Sequence, residues 1–208
     1  MNSSKPVLYL LGAMAIILVL SAGIAFIEPK DSALPAAAAF QDVPGLNEGE
    51  LPWGIGTTTL RSRLAALDLP ALTKEGSAVH THQHLDIFIN GEAVPIPPEI
   101  GVNEEDNYIS PLHTHDGSGI IHVESPTVQI FTLGQFFGIW GVRFTKNCIG
   151  GYCADAGKNL KVYLNGKEHA GDPSAIALLP EMEIAIVYGE EIDAPKTIPK
   201  DYDFPPGL

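Results

Sequence analysis

The chain has 208 residues, a formal net charge of −13 and 45% hydrophobic residues. This acidity argues against nucleic acid as a partner, because phosphate binding requires a basic surface. A strongly acidic surface favours solubility outside a cell and, as a second effect, attracts cations.

The N-terminal segment predicts export. Residues 7–27 (VLYLLGAMAIILVLSAGIAFI) carry no charged side chain and are long enough to cross a bilayer as a helix. Lys5 precedes the run, which favours an N terminus inside and the remaining chain outside. We predict a signal-anchor helix over residues 1–27, held in the cell membrane by residues 7–27, with the C-terminal domain extracytoplasmic. The alternative is a secreted protein after signal cleavage near Gly23–Ala25.

The next segment, residues 28–56, is rich in Pro, Ala and Gly and predicts a flexible linker. Thr57, Thr58 and Thr59 offer capping side chains for a short helix that ends before Pro70. Its apolar positions, at helical spacing, are Leu60, Leu64 and Leu67. A globular histidine-rich α+β domain is predicted over residues 57–193.

Alternating and β-branched runs predict the strands of this domain. Two Asn-Gly pairs, at positions 90–91 and 165–166, are strong signals for tight hairpins. The predicted strands are residues 84–89, 93–96, 119–124, 160–164, 167–169 and 183–188.

One apolar helix is predicted between the two hairpins. Thr132 and Gln135 have the spacing of a capping box. Phe136, Phe137 and Trp140 follow, so the helix is apolar on most faces and is expected to be buried. After the last strand, residues 194–208 carry four prolines and predict an extended Pro-rich tail.

The order of the predicted elements indicates an α+β fold with one buried helix. A hairpin, a helix and a returning pair of strands favour a small β-grasp-like mixed sheet, and residues 160–188 resemble the closing half of the ubiquitin-like sulfur carriers. Those carriers end in a reactive Gly-Gly pair, whereas this chain ends Pro-Pro-Gly-Leu, so a conjugation role does not carry over. A β-sandwich is the alternative fold.

Six of the seven histidines lie within residues 80–122, in two tight sets. Side chains two apart on a strand share one face, so each set is expected to converge. Neutral imidazole suits zinc, copper and nickel, and we predict a copper or zinc ion as cofactor. The predicted ligands are His80, His82, His84, His113, His115 and His122, of which His82, His84, His113 and His115 are preferred. Three carboxylates, Asp86, Asp116 and Glu124, are predicted to bind the metal or to orient an imidazole.

Cys148 and Cys153 flank an Ile-Gly-Gly-Tyr segment. In an exported domain such a pair is expected to form a disulfide. A thiolate pair that joins the metal site is the alternative.

These features predict a membrane-anchored, outward-facing protein that binds a transition metal through histidines. One alternative is a metal-dependent enzyme, hydrolytic or redox, that uses the same ligands. The sequence contains no His-Glu-x-x-His motif, so it predicts no particular reaction. The other alternative is a pH-sensitive interaction module that docks on a membrane protein partner.

Two longer motifs carry a resemblance that extends from about Leu60 to the C terminus. The runs HTHQHLDIFINGEAVPIP (80–97) and PLHTHDGSGIIHVES (111–125) resemble a family of uncharacterised exported or membrane-anchored bacterial and archaeal proteins. The resemblance implies a location outside the cytoplasm and no mechanism.

Overall fold

The strand that carries the first histidine set, β1 (Val79–Ile89), lies inside a seven-stranded sheet. The computed structural model of the protein describes Phe40 and residues 42–208, so the predicted anchor over residues 1–27 lies outside the described residues. The helices are α1 (Thr57–Ala66) and α2 (Leu133–Trp140). The other strands are β2 (Glu92–Val94), β3 (Val102–Asn103), β4 (Tyr108–Ile109), β5 (Leu112–His113), β6 (Ile120–Ser125), β7 (Cys148–Ile149), β8 (Tyr152–Cys153), β9 (Asn159–Leu164), β10 (Lys167–Glu168) and β11 (Met182–Gly189).

The sheet is mixed. Its strand order is β10-β9-β11-β1-β6-β5, and β2 also pairs with β1. β1 and β11 run parallel, whereas the other pairs in this sheet are antiparallel. The remaining described sheets, β3-β4 and β7-β8, have two strands each, which does not provide the second layer of a β-sandwich. The predicted α+β class is confirmed.

The two faces of β1 have different chemistry. Leu85, Ile87 and Ile89 are buried in the hydrophobic core. His80, His82 and His84 point to the opposite face, because successive side chains alternate across a strand. The apolar requirement of the core therefore places all three histidines on the outer face of the sheet.

Helix α2 is a main element of the core, and all eight of its residues are buried. Its predicted capping box is confirmed: the Thr132 side chain accepts from the Gln135 backbone N–H, and the Gln135 side chain accepts from the Thr132 N–H. Gly141, with a φ of 79°, ends the helix.

Helix α1 packs against α2 through the buried Leu60, Arg63 and Leu64. It confirms the predicted short helix, but its buried face includes the charged Arg63, its N-cap is Gly56 and no threonine side chain caps it.

Both Asn-Gly pairs form the predicted hairpin turns. Asn90 and Gly91 have φ values of 49° and 87°, and Asn165 and Gly166 have values of 50° and 77°. Two consecutive positive φ angles are those of a type I′ turn, which matches the twist of the flanking strands.

The packed domain begins before the predicted boundary at Thr57. Phe40, Val43 and Trp53 lie in the range predicted as a flexible linker, yet all three are buried in the core. The Trp53 ring packs edge-on to Trp140, with centroids 5.8 Å apart. Residues 42–56 are therefore part of the domain, because their sparse large side chains fill space beside α2. Among the described residues, no helix is both long and apolar enough to cross a membrane.

The predicted disulfide between Cys148 and Cys153 is confirmed, and it joins β7 to β8. Neither sulfur is therefore available as a thiolate ligand.

Candidate metal centre

Strand pairing brings the two histidine sets together on the outer face of the sheet. In the antiparallel register, His82 of β1 lies opposite His122 of β6, and His80 lies opposite Glu124. His113 of β5 lies on the other side of His122. Residues that face each other across paired strands project to the same side, so one row of imidazoles crosses three strands.

His113, His115 and His122 form a tight group. The ring centroid of His122 lies 4.5 Å from that of His115 and 5.3 Å from that of His113, and the last two centroids are 4.7 Å apart. Together with Glu124, each residue offers one ligand atom within 4.8 Å of all the others. Such a group could hold a metal ion.

The orientation of His113 is fixed by the backbone. Its Nδ1 lies 3.0 Å from the Ser110 carbonyl oxygen, which can only accept, so Nδ1 carries the proton. Its Nε2 is then an acceptor, 3.2 Å from the His115 Nε2, and a metal ion could replace the proton between the two nitrogens. Zinc–nitrogen bonds of about 2.0–2.1 Å in a tetrahedral site separate two ligand nitrogens by about 3.3 Å. The observed spacing therefore fits two imidazoles that share an ion.

A second group consists of His80, His82 and Glu124. The His80 Nε2 lies 3.3 Å from the Glu124 Oε1, and the same oxygen is 3.3 Å from the His122 Nδ1. The His82 Nε2 is buried and has no hydrogen-bond partner within the described part of the chain. Because a buried polar atom is normally paired, this nitrogen is free to bind an ion or a water molecule.

Burial and mutual repulsion keep the central histidines neutral. Burial, reinforced by the neighbouring His115, lowers the pKa of His113 to about 3. The same two causes lower the pKa of His122 to about 4. Burial and the nearby His80 also lower the pKa of His82. Neutral imidazole is the form that binds a metal, so these side chains are ready to act as ligands.

Glu75 belongs to the site although no sequence pattern indicates it. It lies before β1, and its Oε1 is 3.5 Å from the His115 Nε2. Burial, followed by the charge of Glu75, raises the pKa of Glu124. A single acidic residue in an irregular segment carries no local signal, so sequence reasoning missed it.

His84, one of the preferred ligands, has a different environment. Its Nδ1 lies 2.8 Å from the Glu183 Oε2, and its Nε2 lies 2.9 Å from the Ser118 carbonyl oxygen. Its ring stacks on Tyr202, with centroids 3.7 Å apart. Both ring nitrogens already have acceptors, so His84 does not project a lone pair toward the other histidines.

The carboxylates near His84 form a separate group. Asp86 has an oxygen 3.9 Å from the His84 Nδ1, and His84, Asp86 and Glu183 have ligand atoms within 4.8 Å of one another. Glu183 comes from β11 and was not predicted, because only the parallel pairing of β11 with β1 brings it opposite His84. The contacts of His84 describe an ion pair better than a metal site, since the carboxylate meets a ring nitrogen directly.

Asp116 closes a turn rather than joining either histidine group. Its exposed side chain accepts a hydrogen bond from the Ser118 N–H at 2.9 Å. At the end of this turn, Gly119 has a φ of 87°, and a Cβ there would lie 2.7 Å from the Leu85 carbonyl oxygen. The close approach allowed by Gly119 sets the turn against β1 and places the Ser118 carbonyl on His84.

A large apolar cavity of about 690 Å³ contains none of the six histidines. Its lining includes Trp53, Trp140 and Tyr152 together with several prolines. The groups that could hold a metal ion lie on the sheet face instead, so the histidine clusters are the stronger candidate site.

The described structure therefore contains histidine–glutamate groups that could hold a metal ion, and it does not determine which metal. Comparisons with protein-family models, with curated proteins and with solved structures found no match to this chain.

Proposed function

We propose that the protein binds a copper or zinc ion through His113, His115 and His122, with Glu124 as a fourth ligand or as the group that orients His122. The observation that carries this proposal is the pair of Nε2 atoms of His113 and His115, 3.2 Å apart, with the tautomer of His113 fixed by the Ser110 carbonyl. A backbone carbonyl that orients a metal-binding imidazole is a recurrent feature of such sites.

The donor set supports this choice of metals. Imidazole and carboxylate without thiolate suit zinc and copper(II), and the only two cysteines form a disulfide. The side chain of His115 is 45% exposed and that of Glu75 is 53% exposed. An ion could therefore reach the site from solvent, as capture, buffering or delivery of a metal requires.

We also propose a membrane location, a family membership and a β-grasp arrangement of the sheet. The apolar run over residues 7–27 supports a single-pass anchor with the metal centre outside the cytoplasm. The two histidine motifs support membership in the exported or membrane-anchored family that they resemble. The central parallel pair of β1 and β11, with a hairpin beside each strand, supports a β-grasp arrangement.

Replacement of ligands tests the proposed site. The full-length chain is purified without a histidine tag, incubated with zinc or copper(II), dialysed, and analysed for metal per chain. We expect the His113→Gln, His115→Gln double variant to lose the ion of this site on dialysis. The affinity of the chain for the metal should fall by about 100-fold or more. Metal content equal to that of the parent chain would contradict the ligand assignment.

Two further variants make this result interpretable. His115→Gln alone changes an exposed side chain and tests the site with little risk to folding. His169→Gln changes the one histidine that lies outside residues 80–122 and should leave the metal content unchanged. Circular dichroism checks that each variant keeps the secondary structure of the parent.

A further inference from the structure

We infer that the outer face of the sheet holds two metal ions, bridged by the Glu124 carboxylate. One ion takes His113, His115 and His122, as proposed above, and the second takes His80 and His82. This inference rests on the proposed function, and it adds a second site and a bridging role for Glu124.

The second site is defined by its own contacts. The rings of His80 and His82 have centroids 4.9 Å apart, and these residues and Glu124 each offer a ligand atom within 4.8 Å of the other two. The side chain of His80 is 55% exposed, whereas His82 is only 7% exposed. One ligand is therefore fixed in the sheet and the other lies at the rim, so solvent has a route to the ion.

The unpartnered Nε2 of His82 supports an ion at the second site. His82 Nε2 is buried, and within the described residues it has no protein partner. The rings on either side of His82 belong to His80 and His122. A water molecule could satisfy one nitrogen, but an ion satisfies this nitrogen together with the His80 nitrogen and the Glu124 oxygen.

His82 groups with His80 rather than with the three-histidine site. The mutually close sets are His113, His115, His122 and Glu124 on one side, and His80, His82 and Glu124 on the other. Glu124 is their only shared member. A single ion bound by four histidines would instead require His82 to belong to the first set.

Glu124 has the geometry of a bridge. Its Oε1 lies 3.3 Å from the His122 Nδ1, a member of the first set, and 3.3 Å from the His80 Nε2, a member of the second. A carboxylate between two ions a few ångströms apart can bind both, and paired ions in proteins are about 3.5–4 Å apart. The ring centroids of His82 and His122, which belong to different sets, are 4.6 Å apart, so the sites are adjacent.

Negative charge next to the bridge supports the binding of cations on this face. Glu124 is 4% exposed, and Glu75 adds a second carboxylate, whose Oε1 lies 3.5 Å from the His115 Nε2. A buried carboxylate is costly unless a proton or a cation compensates its charge. One divalent ion would already balance the two carboxylates, so the count of two ions rests on the two mutually close ligand groups.

Copper(II) titration of the full-length chain tests the inference. Metal per chain is measured after dialysis, and electron paramagnetic resonance reports whether the copper ions are magnetically coupled. We expect two copper ions per chain and a weakened, coupled signal, because ions that share a carboxylate lie within a few ångströms of each other.

Variants of His80 and His82 test whether these residues bind the second ion. In the His80→Gln, His82→Gln double variant we expect the copper content to fall by half and the remaining ion to give an uncoupled signal of full intensity. His80→Gln alone, at an exposed position, should weaken the second ion selectively. His169→Gln is the control and should keep both ions.

The outcomes separate this inference from the proposed function. One copper ion per chain in the parent, unchanged in the His80→Gln, His82→Gln variant, overturns the second site and leaves the three-histidine site in place. Two uncoupled ions, or two ions that both survive in that variant, place the second ion elsewhere and also overturn it. No bound copper or zinc in the parent chain contradicts the proposed function itself.

Discussion

His84 illustrates how partners from distant segments set the role of a histidine. It shares a face of β1 with His80 and His82, but only His84 lies opposite Glu183 of β11 in the strand register. Burial by itself would lower the pKa of His84, but the Glu183 carboxylate and the Ser118 carbonyl raise it above its ordinary value. The His84 ring therefore pairs with a buried carboxylate, whereas burial lowers the pKa of His82 on the same strand.

We predict that His84→Gln leaves the metal content unchanged and lowers the free energy of unfolding. The substitution removes the imidazole that is hydrogen-bonded to Glu183, which is 1% exposed, and costs about 2–4 kcal/mol. Urea unfolding in the presence of a chelator measures the stability of the metal-free chains, and elemental analysis of each sample before the chelator is added measures the metal. Loss of metal at unchanged stability would instead make His84 a ligand. The matched comparison is His115→Gln, which should lose metal with little change in stability.

The metal-free protein should lose stability as the pH falls from about 6.5 toward 4. His113 and His122 have folded-state pKa values of about 3 and about 4, below the ordinary value of 6.5. Over this interval the unfolded chain takes up protons that the folded chain does not, so acid favours unfolding. One histidine that stays neutral throughout contributes up to about 3 kcal/mol.

The raised pKa of His84 acts in a different pH window. A histidine with a raised pKa stabilises the fold fully below 6.5 and loses that contribution as the pH rises through its folded pKa. Chemical unfolding in the presence of a chelator, at several pH values, measures both slopes. The His113→Gln variant should show a shallower slope between pH 6.5 and 4 than the parent. An equal slope in the two proteins would contradict the role of His113.

At the scale of elements, Arg63 connects the two helices. This arginine of α1 is 0% exposed, and its Nε donates to the Ile139 carbonyl oxygen in the last turn of α2 at 3.0 Å. Its Nη2 donates to the Gly56 carbonyl oxygen at 2.9 Å, next to the start of α1. A cation at the C-terminal end of α2 also interacts favourably with the helix dipole.

We predict that Arg63→Met lowers the free energy of unfolding by about 2–4 kcal/mol, because buried carbonyl groups lose a charged donor. Arg61→Met is the matched control on the same helix. Arg61 is exposed and lies over the Tyr108 ring at 4.1 Å, so its loss should cost about 1 kcal/mol or less. Urea unfolding curves of the two variants give the comparison, and equal losses would show that the buried contacts of Arg63 contribute little.

Local patterns predicted the elements better than they predicted the site. The Asn-Gly turns and the capping box at Thr132 depend on neighbours a few residues apart, and they were found from the sequence. The different environments of His84 and His82 depend on the pairing of β1 with β11, which lies almost 100 residues away in the chain. No local pattern encodes that pairing. The local sequence around Trp53 predicts a linker for the same reason, since its partner Trp140 lies in a distant helix.

At the scale of the whole molecule, the C-terminal tail links the two halves of the sheet. Lys200 packs against the β9–β10 turn, where a Cβ on Gly166 would lie 2.8 Å from the Lys200 Cβ. Tyr202 then stacks on His84 in β1, and the Phe204 ring lies edge-on to Tyr202 at 5.0 Å. Tyr202, in the range predicted as a Pro-rich tail, therefore packs on the outer face at His84, next to the proposed metal ligands and outside them.

Removal of residues 200–208 should lower the stability of the domain without changing its metal content. The truncation removes the aromatic ring that covers His84, and Tyr202→Ala alone should cost about 1–2 kcal/mol. Tyr202→Phe retains the ring and should behave like the parent, since stacking rather than the hydroxyl makes this contact. Thermal unfolding and metal analysis of all three variants test the argument. A truncated chain that unfolds like the parent would show that the tail adds no stability, and one that loses its metal would show that the metal centre extends to the tail.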